Sequence, residues 1–262
     1  MCYPIILLVQ TMTTPTTGPP PTDMSARIGG RVVTPALPVV DGSYPNEADL
    51  QFSKCLEAYS GEHIPIEQVQ EIQRRERVLN SMSQLCREWI EGVCRDQLRM
   101  SEELVQAASG NGRNLMFTSG SFRLGVHEPG ADIDSICVAP NMITREHFFG
   151  TSIDRLTGKV MKDPSSLAER IRNHPDVSNF NAVESAAVPI LTFHWEGVNI
   201  DLLFARLASS TVPADLDIDD DTVLDGVDSA TEKSLNGPRV TNLIAAFVSG
   251  TPQRYQNFLF VV

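Results

Sequence analysis

Two carboxylates stand one residue apart in the segment GSFRLGVHEPGADIDSICVAP, residues 120–140. They are Asp132 and Asp134, and the apolar residues that follow are typical of a buried strand. Residues i and i+2 of a strand point to one face, so the sequence predicts both carboxylates side by side and Ile133 in the core. Like charges this close repel unless something positive lies between them. A divalent cation such as Mg²⁺ fits, because hard cations prefer carboxylate oxygens.

A third carboxylate lies in a matching setting, since Asp201 interrupts the apolar strand-like run VNIDLLFARL. If the two strands are neighbours in one sheet, three acids converge, and such a group can hold a pair of metals for nucleotidyl transfer. Gly120 and Ser121 stand between a strand and a helical turn, where backbone N–H groups and a hydroxyl can bind phosphate. Alone, a DxD pair is more often found on an edge strand or in a ligand loop. The combination of these features in this order predicts a nucleotidyl-transfer site.

The order of helices and strands around these residues predicts an α+β domain, in which a mixed sheet has helices on one side. Apolar residues recur at helical spacing over residues 66–93, after Pro65, and the arginines of QRRER fall on the face that we predict to be solvated. From residue 115 the period changes to that of strands. The predicted order is short strand LMFTS, helical turn GSFRLG, strand DIDSICVAP, helices after Thr144 and Ser165, and a hairpin turning at Glu196–Gly197.

The 262-residue chain carries a formal net charge of −12, which argues against a self-sufficient nucleic-acid-binding protein. Much of the excess lies between residues 215 and 232, which we predict to be a solvated loop. The five cysteines are widely spaced and form no CxxC motif, as expected of free thiols in a reducing compartment. The apolar run 3–9 is too short to span a bilayer, so we expect no membrane association.

FTSGSFRLGVHEPGADIDSICVAP closely resembles the catalytic signature of eukaryotic poly(A) polymerases, which belong to the polymerase-beta-like nucleotidyltransferase superfamily. VPILTFHWEGVNIDLLFARL resembles the segment that carries the third aspartate of that family, and SLNGPRVT the motif leading into its central domain. The resemblance covers residues 28–248. The chain departs from the family pattern at Ser119, where Phe or Tyr is usual, at Thr192, where Lys is usual, and at Asn242, where Asp is usual.

The resemblance implies an α+β polymerase-beta-like fold and transfer of AMP from ATP to an RNA 3′ end, with release of pyrophosphate. Its cofactor is expected to be Mg²⁺ or Mn²⁺. Nuclear localisation and cleavage or polyadenylation factors as partners follow from the same resemblance. Carried over by position, the metal ligands are Asp132, Asp134 and Asp201, and the ATP contacts are Ser119, Gly120, Ser121 and Glu128.

The resemblance also implies a division of the chain. We expect a disordered Thr/Pro-rich arm over residues 1–27, a catalytic domain over 28–233 and the truncated start of a central domain over 234–262, and hence weak activity of this chain by itself. Two other functions stay open. One is another RNA terminal nucleotidyltransferase, such as a terminal uridylyltransferase or a CCA-adding enzyme. The other is a catalytically incomplete fragment that acts as a binding module.

Overall fold

The computed structural model describes residues 26–28, 31–33, 47–63, 67–110, 115–154 and 156–248. Its helices are α1 (Glu47–His63), α2 (Val69–Gly92), α3 (Glu102–Ala108), α4 (Gly120–Leu124), α5 (Arg145–Phe149), α6 (Leu167–Arg172) and α7 (Ser229–Val248). Its strands are β1 (Ala26–Ile28), β2 (Arg31–Val33), β3 (Met116–Thr118), β4 (Ile133–Ala139), β5 (Thr151–Ile153), β6 (Val160–Lys162), β7 (Val177–Val183), β8 (Ile190–Trp195) and β9 (Val198–Arg206).

The central sheet has five strands in the order β3-β4-β9-β8-β7. Strands β4 and β9 are parallel, and the other pairs in this sheet are antiparallel, which confirms the predicted mixed sheet. The parallel register sets Asp134 directly beside Asp201. The condition under which the three acids converge is therefore met by strand pairing.

Helix α2 covers the face of the sheet opposite the carboxylates. Its Trp89 ring packs edge-on against Phe204 of β9 at 6.2 Å and against Phe148 of α5 at 6.0 Å. Alternation along β4 buries Ile133 completely on this face while Asp134 points the other way. Burial of these apolar groups supplies most of the energy that holds α2 on the sheet.

The predicted hairpin is confirmed, with β8 and β9 joined at Glu196 and Gly197. Both residues have positive φ, 48° and 78°, as a tight hairpin turn requires. Edge strand β7 and the small pair β5–β6 were not predicted from the sequence. The expectation of a solvated face is wrong for Arg75, whose side chain is 2% exposed.

The acidic stretch contains a short 3₁₀ turn, Asp221–Leu224, and is tied to α7. Arg239 donates to the carbonyls of Ile218 and Asp220 and pairs with the Asp221 carboxylate at 2.6 Å. Helix α7 begins before the predicted domain boundary at 233/234, and that boundary stays a prediction.

Other expectations fall partly outside the described residues. Of the predicted arm, Ala26 and Arg27 are described, and they pair with Val33 and Val32. Cys55, Cys86, Cys94 and Cys137 carry free thiols, and Cys2 lies outside the described residues. Within the described part of the chain, every helix is too short or too polar to cross a bilayer.

A bidentate ion pair fixes the start of α7. Arg145 donates to both Asp228 carboxylate oxygens at 2.6 and 2.7 Å, and Asp228 also accepts from the Thr231 amide at 2.9 Å. The hydrogen bonds from Arg145 hold the pKa of Asp228 far below its usual value. Both side chains are about a third exposed, so solvent screens the pair.

We expect Arg145→Met to lower the free energy of unfolding by about 1 kcal/mol near neutral pH. Because the folded pKa of Asp228 is depressed, this stabilisation is complete above the ordinary Asp pKa of about 4 and is lost below it. Urea unfolding at several pH values measures the difference between wild type and variant. A difference that stays constant into strong acid would contradict this role of the pair.

Candidate active site

The three predicted metal ligands meet on one face of the sheet. One carboxylate oxygen from each of Asp132, Asp134 and Asp201 lies within 4.8 Å of the others. Asp134 and Asp201 are half-buried on paired strands, whereas Asp132 is exposed and precedes the first paired residue of β4, Ile133. The group is therefore most open to solvent at Asp132.

The site concentrates negative charge on three neighbouring carboxylates. Burial raises the pKa of Asp134, and the neighbouring Asp132 carboxylate raises it further. Burial likewise raises the pKa of Asp201, with added repulsion from Asp132 and Asp134. Three carboxylate oxygens so placed fit a hard divalent cation, which would lower the raised pKa values of Asp134 and Asp201.

The Gly-Ser turn lies against the acids. The Ser119 amide donates to the Asp134 carbonyl at 2.9 Å, which links the turn to β4. Gly120 has a φ of +66°, and a Cβ built on it would overlap the Asp134 carboxylate oxygen Oδ2. Glycine is therefore required here both for its backbone conformation and for the close approach of the turn to Asp134.

Helix α7 contacts this turn through a residue that sequence reasoning missed. The Gly120 amide donates to Thr241 Oγ1 at 3.1 Å, and that hydroxyl donates to the Gly237 carbonyl at 2.8 Å. Next to it, Arg123 donates to Asn242 Oδ1 at 3.2 Å. Thr241 is the last residue of the segment SLNGPRVT, which resembles a family motif, but nothing in the sequence places that segment beside Gly120.

We expect Thr241→Val to lower the free energy of unfolding by about 1 kcal/mol, because the part-buried Gly120 amide loses its acceptor while side-chain volume is conserved. Thr241→Ser keeps the hydroxyl and serves as the matched control. Urea denaturation of both variants checks this. A loss of stability as large in the Ser variant as in the Val variant would show that the hydroxyl has no such role.

The remaining predicted ATP contacts lie around the same turn. Ser119 is buried and Ser121 half-buried, whereas Glu128 is exposed in the loop between α4 and β4. A polar groove of about 270 Å³ opens beside the carboxylates along β8 and β9. Its lining includes Asp132, Asp201, Asn179, Thr192, His194 and Asn199. Alternation along β8 could have identified Thr192 and His194, since Thr192 pairs with Asp201 across the hairpin.

The family model of the poly(A) polymerase nucleotidyltransferase domain matches residues 33–248. The chain belongs to this family. Membership of the poly(A) polymerase nucleotidyltransferase family confirms the resemblance seen in the sequence. The mixed sheet with its helices agrees with the predicted α+β class.

Two relatives in the family show the extent of the match. The chain is 36% identical over 204 residues to nuclear poly(A) polymerase 1 of Arabidopsis thaliana, covering 78% of this chain and 26% of that protein. It is 32% identical over 209 residues to a poly(A) polymerase of Dictyostelium discoideum, covering 79% of this chain and 23% of that protein. The chain thus spans about a quarter of the length of these curated relatives.

Solved structures give a looser match. The structure of a GLD-2/RNP-8 complex aligns at 12% identity and a TM-score of 0.33, covering 59% of this chain and 38% of that one. A cytoplasmic RNA terminal U-transferase aligns at 12% identity and a TM-score of 0.34, covering 59% of this chain and 36% of that one. Similarity at this level does not bear on the function of the poly(A) polymerase nucleotidyltransferase domain described here.

Proposed function

We propose that this chain carries the catalytic site of an enzyme that adds AMP from ATP to RNA 3′ ends. The 3′-hydroxyl oxygen of RNA forms a bond to the α-phosphorus of ATP and gives up its proton to solvent. The bond from that phosphorus to the oxygen that bridges the α- and β-phosphates breaks, and pyrophosphate leaves. The observation that supports this most is the convergence of Asp132, Asp134 and Asp201 beside the Gly-Ser turn in a member of this family.

The three aspartates are the proposed ligands for Mg²⁺ or Mn²⁺. Asp134 and Asp201 are fixed by strand pairing and offer oxygens from two adjacent strands, and Asp132 completes the set from the open side. When bound, such cations neutralise triphosphate charge and activate the attacking hydroxyl. Because these carboxylates repel one another without a cation, the site is preorganised to bind positive charge.

We propose that the triphosphate binds at the Gly-Ser turn. The Gly120 amide already donates to Thr241, so the groups that we assign to phosphate binding are the Ser121 hydroxyl and amide and the buried Ser119 hydroxyl. Glu128 carries no positive charge, so its proposed role is a contact to the sugar or base rather than to phosphate. The polar groove beside Asp201 offers room for the RNA end.

The wider setting is proposed from the relatives. Two Arabidopsis relatives are named nuclear poly(A) polymerases, from which we propose nuclear localisation and a place in mRNA polyadenylation, with cleavage or polyadenylation factors as partners. We also propose that residues 28–233 form the catalytic domain and that 234–262 belong to a central domain.

Incorporation of each of the four labelled nucleoside triphosphates into an RNA oligonucleotide, with Mg²⁺ or Mn²⁺, tests the proposal. We expect AMP to be added in preference to UMP, CMP and GMP, and an RNA with a 3′-deoxy end to accept nothing. Preferred addition of UMP would instead indicate a terminal uridylyltransferase. Absence of any addition by a folded, metal-binding chain would indicate a binding module.

A further inference from the structure

A buried ionic cluster joins the start of α2 to the loop that connects α4 with β4. Glu67 Oε1 accepts from Arg75 Nε at 2.7 Å, and Glu67 Oε2 lies 2.9 Å from His127 Nε2. The side chains of Glu67, Arg75 and His127 are 8%, 2% and 15% exposed. We call these three residues the Glu67 cluster.

The Glu67 cluster also holds α4. The Arg75 guanidinium lies 5.9 Å from the centre of the Phe122 ring, and the His127 ring lies 5.1 Å from the same ring. Phe122 belongs to the helical turn that begins at Gly120, and His127 belongs to the loop that ends at Asp132. The cluster therefore holds the segment between the Gly-Ser turn and the first carboxylate at two points, by contact with Phe122 and through its own member His127.

Stability alone does not account for this arrangement. Burial of an ion pair carries a desolvation penalty that its Coulomb attraction barely offsets, so apolar residues of similar shape would serve the fold as well. Among the described residues, Arg75 Nη1 and His127 Nδ1 are buried and make no hydrogen bond, which adds to that penalty. What a charged and directional cluster supplies is a defined geometry for the loop.

Asp132 is the member of the carboxylate group that needs such support. Asp134 and Asp201 lie within the paired register of β4 and β9, but that register begins at Ile133. The position of Asp132 thus depends on the loop that precedes it, and that loop is held by Glu67 through His127, whose side chain is 15% exposed.

We propose that the Glu67 cluster is a positioning device that sets the loop from His127 to Asp132 so that Asp132 reaches the cation held with Asp134 and Asp201. This inference rests on the proposed function, because it takes the carboxylate group to be a metal site. Glu67, Arg75 and His127 are positioning residues and contact neither metal nor nucleotide.

Replacement of His127 separates positioning from general stability. His127→Gln keeps an N–H donor that reaches Glu67 Oε2, whereas His127→Leu removes the donor and His127→Asn is one methylene too short to reach. Loss of a group that orients a metal ligand lowers metal affinity by about 10–100-fold. We expect the Leu and Asn variants to bind Mn²⁺ at least about tenfold more weakly than wild type and the Gln variant to stay within about threefold.

Arg145→Met is the matched control, because it breaks a charged pair beyond the far end of β4. Ala139, the last residue of β4, lies five residues along the strand from Asp134, or about 17 Å at 3.3 Å per residue. We expect this variant to lose stability without losing Mn²⁺ affinity.

The test combines calorimetric Mn²⁺ titration with hydrogen exchange of the peptide covering residues 121–132. Faster exchange in that peptide and weaker Mn²⁺ binding in the Leu and Asn variants, both restored in the Gln variant, are the expected results. Wild-type affinity in the Leu and Asn variants, equal weakening in the Gln variant, or equal weakening in Arg145→Met would overturn the inference. If wild type binds no Mn²⁺, the proposed metal site fails, and unchanged exchange in the Leu variant then overturns the positioning role as well.

Discussion

We expect Asp201→Asn to lower the proposed AMP transfer by about 10³-fold and to leave the fold intact. The change keeps the shape of a half-buried side chain on β9 and removes one ligand charge from the group with Asp132 and Asp134. If that ligand contributes about 4 kcal/mol to the transition state, the rate falls by about 10³-fold. Since burial, together with repulsion from the other two carboxylates, raises the pKa of Asp201, the Asn variant without metal should be as stable as wild type or more stable.

Primer extension and urea denaturation measure these two effects. Asp215→Asn is the matched control, because it removes the same charge from an exposed position in the acidic stretch. We expect wild-type extension from the control. Primer extension by Asp201→Asn at the wild-type rate would contradict the assignment of Asp201 as a metal ligand.

Gly120→Ala is expected to have the second-largest effect. The φ of Gly120, +66°, is unfavourable for alanine by about 1–2 kcal/mol. The alanine Cβ would also displace the Asp134 carboxylate from its place beside Asp132 and Asp201. Displacement of a reacting group by about 1 Å can cost about 10²-fold in rate. We expect at least that loss in primer extension, together with weaker Mn²⁺ binding.

Gly158→Ala separates the effect of backbone strain from that of overlap with the Asp134 carboxylate. Gly158 has nearly the same φ, +67°, but a Cβ there would meet nothing within 4 Å. It should therefore reproduce the backbone strain without touching the site. If Gly158→Ala lowers Mn²⁺ affinity as much as Gly120→Ala, overlap with Asp134 is not the reason for the glycine.

The local parts of the site could be predicted from the sequence. The two-residue period of a strand predicts that Ile133 lies in the core and Asp134 on the opposite face. The Glu-Gly pair at residues 196 and 197 predicts the tight turn between the two strands. The pairing of Asp134 with Asp201 was predicted only conditionally, because parallel register joins segments far apart in the chain and is set by packing.

The long-range polar contacts could not be predicted. Arg75 lies in a run of charged residues that is typical of a solvated face, yet its side chain is buried and donates to Glu67. Thr241 looks like an ordinary helical residue until α7 packs beside the Gly-Ser turn. Strand β7 alternates weakly and lies at the sheet edge with much of its surface exposed, so its apolar pattern is faint.

The most direct test of the account is a calorimetric titration of the wild-type chain with Mn²⁺, beside a variant in which Asp132, Asp134 and Asp201 are all replaced by Asn. We expect saturable binding to wild type that weakens as pH falls, because the carboxylates with raised pKa take up protons, and no such binding to the variant. Failure of wild type to bind Mn²⁺, or equal binding by the triple variant, would contradict the claim that these three carboxylates form the metal site on which transfer depends.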